Sequence, residues 1–225
     1  MVAKTSTSSI GKKVLMALSG LFLMVFLMQH LVINMLSVIS ADLFNQASHF
    51  MGTNPLVQFV LQPVLISGFL FHLIMGIYLE YKNNQARPVK YAFKKSSANS
   101  TWISRNMIIT GIMIMMFLGL HFYDFWIPEI NIKFIEGDWS GRHGESFRYW
   151  DELNHKFHDM WRVIIYCISF IFLSLHLLHG FQSSFQSSGL NNNYISYIKK
   201  FGNIFAILVP CGFIFIAIFH YLLTN

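Results

Sequence analysis

The chain has 225 residues, of which 54% are hydrophobic and only 12% are charged. This composition is typical of an integral membrane protein and excludes a soluble domain built around one buried core. The formal net charge of +6 at pH 7 comes mainly from Lys and Arg in the short segments between apolar stretches. Such segments indicate basic membrane loops and not a nucleic-acid surface. We therefore expect membrane lipid, and no nucleic acid, as a partner.

Five apolar stretches follow one another along the chain, each near or above the roughly 20 residues that cross about 30 Å of hydrocarbon. The first is longer than the apolar core of a signal peptide, about 7–15 residues, and is predicted to be a retained span. The predicted fold class is an all-α integral membrane protein, with one membrane domain over residues 1–225. The predicted spans are 14–40, 57–81, 107–127, 161–181 and 202–223, and a polar loop is expected at 128–160.

Positive charge in the linkers predicts the orientation of the spans, because Lys and Arg concentrate in cytoplasmic loops. The N-terminal segment, the linker at 82–105 and the linker at 182–200 are basic. The first linker has no Lys or Arg, and the loop at 128–160 has more acidic than basic residues. We therefore expect the N-terminus inside the membrane-bounded compartment and the C-terminus outside.

Four of the five spans each contain a histidine at membrane depth: His30, His72, His121 and His176. An ionisable side chain at that depth is costly unless a partner satisfies it, so it is by default a functional hypothesis. Imidazole is a good axial ligand for haem iron, and two facing imidazoles hold a six-coordinate haem. Four such residues predict two haem b groups. Histidines satisfied by neighbouring helices are the structural alternative.

The depth of each histidine follows from its distance to the basic linkers, at about 1.5 Å per residue. His30 and His121 fall in the outer half of the membrane, whereas His72 and His176 fall in the inner half. The predicted pairs are therefore His30 with His121 and His72 with His176, at levels roughly 10 Å apart. His179, nearly on the same helical face as His176, competes with it for the inner position.

Glycine follows both inner histidines by one helical turn, as Gly76 after His72 and Gly180 after His176. A missing side chain at that position makes room for a flat porphyrin against the helix. Close packing of helices, which small residues also allow in membranes, is the alternative interpretation. Because the two segments share this spacing, they favour His176 over His179 as the ligand.

The remaining histidines have simpler interpretations. Those in or beside the outer linkers are expected to be solvated, namely His49, His143, His155 and His158. His220 lies near the outer end of the last span, where an interfacial histidine costs little. Haem propionates also need cationic or hydrogen-bonding partners, and the candidates by depth are Lys12, Lys13, Ser19 and Arg105 inside and Arg162 and Lys156 outside.

Several segments resemble a known family, the cytochrome b membrane subunit of succinate dehydrogenase/fumarate reductase. The resemblance is to its single-chain, five-helix, two-haem form, and it covers residues 10–80 and the third and fourth spans around their histidines. It is carried by FLMQHLVIN (26–34), ASHFM (47–51), FHLIMGIY (71–78) and the surroundings of His121 and His176. The resemblance implies that His30 and His121 hold the outer haem and that His72 and His176 hold the inner one.

The resemblance also implies a non-flavin subunit of an enzyme complex in a bacterial inner membrane. A flavoprotein subunit, which carries the succinate/fumarate chemistry, and an iron–sulfur subunit would dock on the inside face. Electrons would reach menaquinone near the outer haem, and the candidate proton groups for this quinone are Asp124, His49 and Asp42. A solvated helix end is the alternative for Asp124. The sequence leaves open whether the complex forms a dimer.

Two other functions remain open at this point. The cytochrome b subunit of a hydrogenase or formate dehydrogenase would keep the haems and change the partner. A haem-free, proton-coupled transporter would use the histidines as a relay. The sequence shows no inverted repeat of the transporter kind, and its histidines sort by level, so the haem interpretations are favoured.

Overall fold

The computed structural model describes residues 9–85, 107–187 and 195–225. Arg105, a propionate candidate, lies outside these residues. The described helices, in chain order, are α1 (Ser9–Ile39), α2 (Ala41–Thr53), α3 (Val57–Gln85), α4 (Met107–Ile135), α5 (Tyr149–Phe157), α6 (Met160–Ser187) and α7 (Ile195–Thr224). The strands β1 (Arg142–His143) and β2 (Ser146–Phe147) form a short antiparallel hairpin.

Five of these helices, α1, α3, α4, α6 and α7, are long and apolar enough to cross a membrane. Many of their large apolar side chains face outward, as Val25 and Ile74 do with 71% and 65% of their surfaces exposed. Such exposure is costly in water and favourable against lipid, which is as apolar as these side chains. The prediction of an all-α membrane protein with five spanning helices is confirmed.

Helical structure extends into segments that were expected to be linkers. α2 occupies most of the first linker, where the Ser40 side chain accepts a hydrogen bond from the Leu43 N–H and caps the helix. The expected polar loop at 128–160 is mostly ordered, because α4 continues to Ile135 and α5 and the hairpin fill much of the rest. These additions place polar side chains over one end of the bundle.

A distortion in α4 has a cause in its sequence. The helix is α-helical over Met107–His121, forms a π-helical turn over Phe122–Trp126, and then continues past Pro128. Pro128 has no N–H and cannot bond the Asp124 carbonyl four residues earlier. The π-helical turn, in which the Ile127 N–H bonds the Phe122 carbonyl, absorbs this break.

The tightest part of the bundle is the packing of α7 against α6 and α1. Ala206, Val209 and Ala217 of α7 are almost completely buried there. Small residues allow this approach, since a Cβ on Gly202 would collide with the Phe181 ring of α6. In contrast, α3 packs mainly on α1 and has no fully buried residue.

The hairpin end of the bundle, which we define by α2, β1–β2 and α5, is held together by internal hydrogen bonds and is bonded to α1. Asn45 of α2 donates to the Phe147 carbonyl at 3.0 Å and accepts from the Trp150 N–H at 2.8 Å. The indole N–H of Trp150 donates to the Ser37 carbonyl of α1 at 3.0 Å. The charge pattern of the linkers predicts that the hairpin end lies on the outer side of the membrane.

Candidate functional site

The four intramembrane histidines meet as two pairs of rings. His30 of α1 and His121 of α4 have ring centroids 5.7 Å apart, with ring planes at 88°. His72 of α3 and His176 of α6 have ring centroids 6.5 Å apart, with ring planes at 71°. We call these the outer pair and the inner pair, after their predicted depths. Each pair thus joins two different helices.

The separation of the rings fits a metal ion held between them. Nitrogen ligands lie about 2 Å from a metal, so two imidazoles on opposite sides of one ion have ring centres about 6 Å apart. The observed 5.7 and 6.5 Å bracket this value. Among the described residues, no group of three or more His, Cys, Asp or Glu side chains could hold a metal ion. Two protein ligands per site suit a haem, whose porphyrin supplies the other four nitrogens.

Hydroxyl groups fix the orientation of both inner rings. Ser19 Oγ lies 3.0 Å from His72 Nδ1, and Thr110 Oγ1 lies 3.1 Å from His176 Nδ1. A histidine that binds metal through one ring nitrogen usually bonds a hydrogen-bonding group through the other. Both inner rings therefore have Nε2 available for a ligand role. Thr110 was missed by the sequence reasoning, and its apolar surroundings in α4 offered no signal beyond a polar residue at membrane depth.

The outer rings lie among aromatic side chains. Phe26 and Phe213 flank His30 at 5.4 and 5.7 Å between ring centroids, and Phe117 stacks on His121 at 5.7 Å. The Asn34 amide donates to the His30 carbonyl at 2.8 Å and lies 3.5 Å from His30 Nδ1. These contacts make a flat, apolar environment of the kind that surrounds a porphyrin.

Of the two competing histidines of α6, His176 is the one whose ring meets that of His72, and this geometry favours it over His179. Of the two predicted glycines, a Cβ on Gly180 would meet nothing within 4 Å, and one on Gly76 would lie 3.5 Å from the flexible end of Met16. Both positions leave space beside the inner pair.

Two further glycines lie against the inner rings and were missed by the sequence reasoning. A Cβ on Gly20 of α1 would lie 3.4 Å from His72 Cε1, and one on Gly111 of α4 would lie 3.8 Å from His176 Cε1. No spacing rule could find them, because each lies on a different helix from the ring it approaches. Glycines of α1 and α4 therefore lie directly against the inner rings.

Three of the propionate candidates, Ser19, Arg162 and Lys12, have other partners in the structure. Ser19 contacts His72, as described, and Arg162 binds carboxylates. Lys12 donates to the Tyr78 hydroxyl at 2.8 Å, beside an apolar cavity of about 290 Å³ on the inner-pair side of the bundle. Lys12 therefore lies at the edge of a cavity on the inner-pair side of the bundle, where it could contact an anionic group.

Asp124 is buried and paired, not solvated as the alternative interpretation had it. Its side chain has no exposed surface. Asp124 Oδ2 accepts hydrogen bonds from Arg162 Nε at 3.1 Å and from the Tyr166 hydroxyl at 3.0 Å, both on α6. Arg162 also donates to Asp159 Oδ2 at 2.7 Å. This arrangement ties the π-helical turn of α4 to α6, just beyond the outer pair.

His49 is more enclosed than expected. Its ring stacks on Phe147 at 4.3 Å between centroids, and its Nδ1 lies 3.5 Å from the Tyr149 hydroxyl. Desolvation, with the positive charges of Lys133 and Arg142, lowers the pKa of His49 from 6.5, so the neutral ring is favoured. Asp42 is exposed and accepts a hydrogen bond from Gln46 at 2.7 Å.

A cluster of charges beside His49 was not predicted. Lys133 is almost completely buried, and it binds the Gly52 carbonyl and Glu129, the latter at 2.5 Å. Arg148 pairs with Glu129 at 2.5 Å and with Glu152 at 2.7 Å. Burial and the charge of Glu129 raise the pKa of Tyr149 to about 12. The cluster joins α2, α4 and α5 at the hairpin end.

The interfacial interpretation of His220 is wrong. The residue has no exposed surface. Its Nε2 lies 2.8 Å from Ser37 Oγ of α1, and its Nδ1 lies 2.6 Å from Asn154 Oδ1 of α5. α5, absent from the sequence prediction, covers the end of α7 and removes His220 from solvent. Of the other linker histidines, His143, His155 and His158 are exposed as expected.

Comparison with known proteins gives one informative match. The chain is 28% identical over 102 residues to the succinate dehydrogenase cytochrome b558 subunit of Bacillus subtilis, which is 44% of this chain and 46% of that protein. The resemblance deduced from the sequence is confirmed. The matched region thus spans less than half the length of that curated relative. No protein-family model and no solved structure matches the chain.

Proposed function

We propose that this chain is the dihaem cytochrome b membrane anchor of a succinate:quinone oxidoreductase, a succinate dehydrogenase or fumarate reductase. The observation that carries the proposal is the meeting of four intramembrane histidines as two ring pairs, each at the separation that suits a bis-imidazole haem. The similarity to the Bacillus subtilis cytochrome b558 subunit favours this complex over other haem-containing membrane complexes. In the proposal, the axial ligands are His30, His72, His121 and His176.

The two haem b groups, when bound, supply one-electron transfer between the two faces of the membrane. The chain's own residues hold and orient them. Ser19 and Thr110 fix the inner rings through Nδ1, while Gly20, Gly111, Gly76 and Gly180 leave room beside these rings. Phenylalanines exclude water around the outer pair. No residue of this chain acts on succinate in the proposal.

The proposed partners follow from the orientation. The basic linkers define the inside face, where a flavoprotein subunit and an iron–sulfur subunit would dock and exchange electrons with the inner haem. Membrane lipid surrounds the apolar helices, and a bacterial inner membrane is the proposed location, in keeping with the Bacillus relative. A dimer of the whole complex is compatible with the exposed, lipid-facing surface of α3.

The proposed electron acceptor is menaquinone, close to the outer pair. Quinone reduction consumes protons, and the hairpin end supplies titratable groups at that level. His49 is the leading candidate of the three, because its ring lies partly enclosed beside the Tyr149 hydroxyl. Asp42 is exposed on α2, and Asp124 already binds Arg162 and Tyr166.

Reduction of the haem by different electron donors tests the assignment of the complex. Membranes containing this chain with its native partners are oxidised, and succinate, formate or hydrogen is then added while the b-type absorbance is followed. Succinate is expected to reduce the haem, whereas formate and hydrogen are not.

If formate or hydrogen reduced the haem and succinate did not, the chain would instead be assigned as the cytochrome b subunit of a formate dehydrogenase or a hydrogenase. A chain without b-type absorbance under dithionite would remove the haem proposal and leave the transporter interpretation. Membranes of a strain lacking this chain are the control, because other cytochromes also absorb in this region.

A further inference from the structure

One carboxylate lies close to a proposed haem ligand and has an oxygen without a protein partner. Asp124 follows His121 by three residues, so both side chains lie on neighbouring parts of α4, across the π-helical turn. Among the described residues, neither Asp124 Oδ1 nor His121 Nδ1 has a hydrogen-bond partner, although both atoms are buried. The first atom is an acceptor, and the second is a donor when the ring binds metal through Nε2.

Unpartnered polar atoms at this depth are costly, since each loses its bonds to water. An acceptor and a donor left open on one turn of helix can satisfy each other directly or through one water molecule. The other carboxylate oxygen, Oδ2, is held by Arg162 and Tyr166, so the carboxylate cannot turn away. Tyr166 also contacts the His121 ring, at 6.4 Å between centroids, which brings the three side chains into one cluster.

We propose that one water molecule bridges His121 and Asp124, accepting a hydrogen bond from His121 Nδ1–H and donating one to Asp124 Oδ1, and that this contact makes the imidazole a stronger electron donor to the outer haem iron. Asp124 is then a positioning residue for the outer ligand. A carboxylate behind a metal-binding histidine fixes the ring and raises its basicity. The inner rings bond neutral hydroxyls instead, so this effect belongs to the outer pair. The inference rests on the proposed function.

Asp124→Asn tests the proposal, because it keeps the size of the side chain and removes the charge. A stronger donor ligand stabilises ferric over ferrous iron, so the variant should raise the reduction potential of the outer haem. We expect about a tenfold change in the reduction equilibrium, or about 59 mV for a one-electron couple. The inner haem should keep its potential. Optical redox titration of the purified complex measures both, and His30→Ala identifies which transition belongs to the outer pair.

Asp159→Asn is the matched control. It removes a carboxylate of the same charge from the same Arg162, but Asp159 is 44% exposed and lies just before α6, not on the helix that carries His121. Its effect on the outer haem should be at least several-fold smaller. Equal shifts in the two variants, or no shift in Asp124→Asn, would overturn the proposal and show only a general effect of charge.

Tyr166→Phe provides a second test should Asp124→Asn fail to assemble. The variant removes one hydrogen bond to the carboxylate, which leaves Asp124 a stronger acceptor for His121. The outer-haem potential should therefore fall, opposite in sign to the effect of Asp124→Asn. An unchanged or raised potential would contradict the proposal. A parent protein without b-type absorbance would instead contradict the proposed function, so the two failures are distinguishable.

Discussion

At the scale of single residues, the two ring pairs differ in the groups behind them. The inner rings bond Ser19 and Thr110, whereas the outer pair has Asn34 near one ring and the Asp124 cluster near the other. The rings of the two pairs thus lie beside different polar groups. In metal sites such partners set ring orientation and ligand basicity, so the two haem sites are expected to differ chemically.

His176→Ala should remove the inner haem, because the protein ring opposite His72 is lost. Haem content per chain is expected to fall by about half, since each pair holds one of the two proposed haems. His179→Ala is the matched control, one turn away on the same helix, and should leave haem content unchanged. Pyridine haemochrome assay of purified chains measures both. Equal losses from the two variants would contradict the ligand assignment.

Gly20→Leu should also remove the inner haem without touching a ligand. A Cβ at this position already approaches His72 Cε1 to 3.4 Å, so a leucine would displace the ring. Val25→Leu is the matched control, because Val25 lies on the same helix and 71% of its surface is exposed. The spectrum of the outer haem should persist in both variants. Normal haem content in Gly20→Leu would show that His72 has more freedom than the packing indicates.

At the scale of the elements, polar contacts fasten the hairpin end to the bundle. His220 of α7 contacts Ser37 of α1 and Asn154 of α5, and Trp150 adds a bond to the Ser37 carbonyl. Three helices therefore meet at one buried imidazole. Since a buried polar group left without partners costs about 1–3 kcal/mol, this contact is a strong constraint on the position of α5.

His220→Leu should weaken this attachment, because Asn154 and Ser37 lose a buried partner. The midpoint of thermal unfolding is expected to fall by about 5 °C, with haem content unchanged at low temperature. His155→Leu changes an exposed histidine of α5 and should have little effect. Differential scanning calorimetry of the two variants in the same detergent measures these midpoints. Equal midpoints would show that α5 is held by other contacts.

The elements also show what sequence could and could not predict. The five spans and the two levels of histidine follow from hydropathy and loop charge, which are local properties of the chain. The burial of Asp124 depends on Arg162 and Tyr166, which lie 38 and 42 residues further along, so no local pattern reports it. The predicted third span ended at 127, but α4 continues past Pro128 through a π-helical turn.

At the scale of the whole molecule, the ligand pairs connect helices that are distant in the chain. The outer pair joins α1 to α4, and the inner pair joins α3 to α6. α3 packs mainly against α1 and, at its start, against α2, and it has few contacts with the rest of the bundle. Bound haem would therefore link α3 to α6 within the membrane. Cofactor binding and assembly of the bundle are therefore expected to be coupled.

The central claim is that this chain holds two haem b groups between these two pairs. Haem content per chain, measured by pyridine haemochrome on the purified protein with its native partners, tests it most directly. The account predicts two haems b per chain, falling to about one in His30→Ala and about one in His72→Ala. The account would be contradicted by a parent chain that contains no haem b. It would also be contradicted by a parent chain that contains a single haem b which both variants lose.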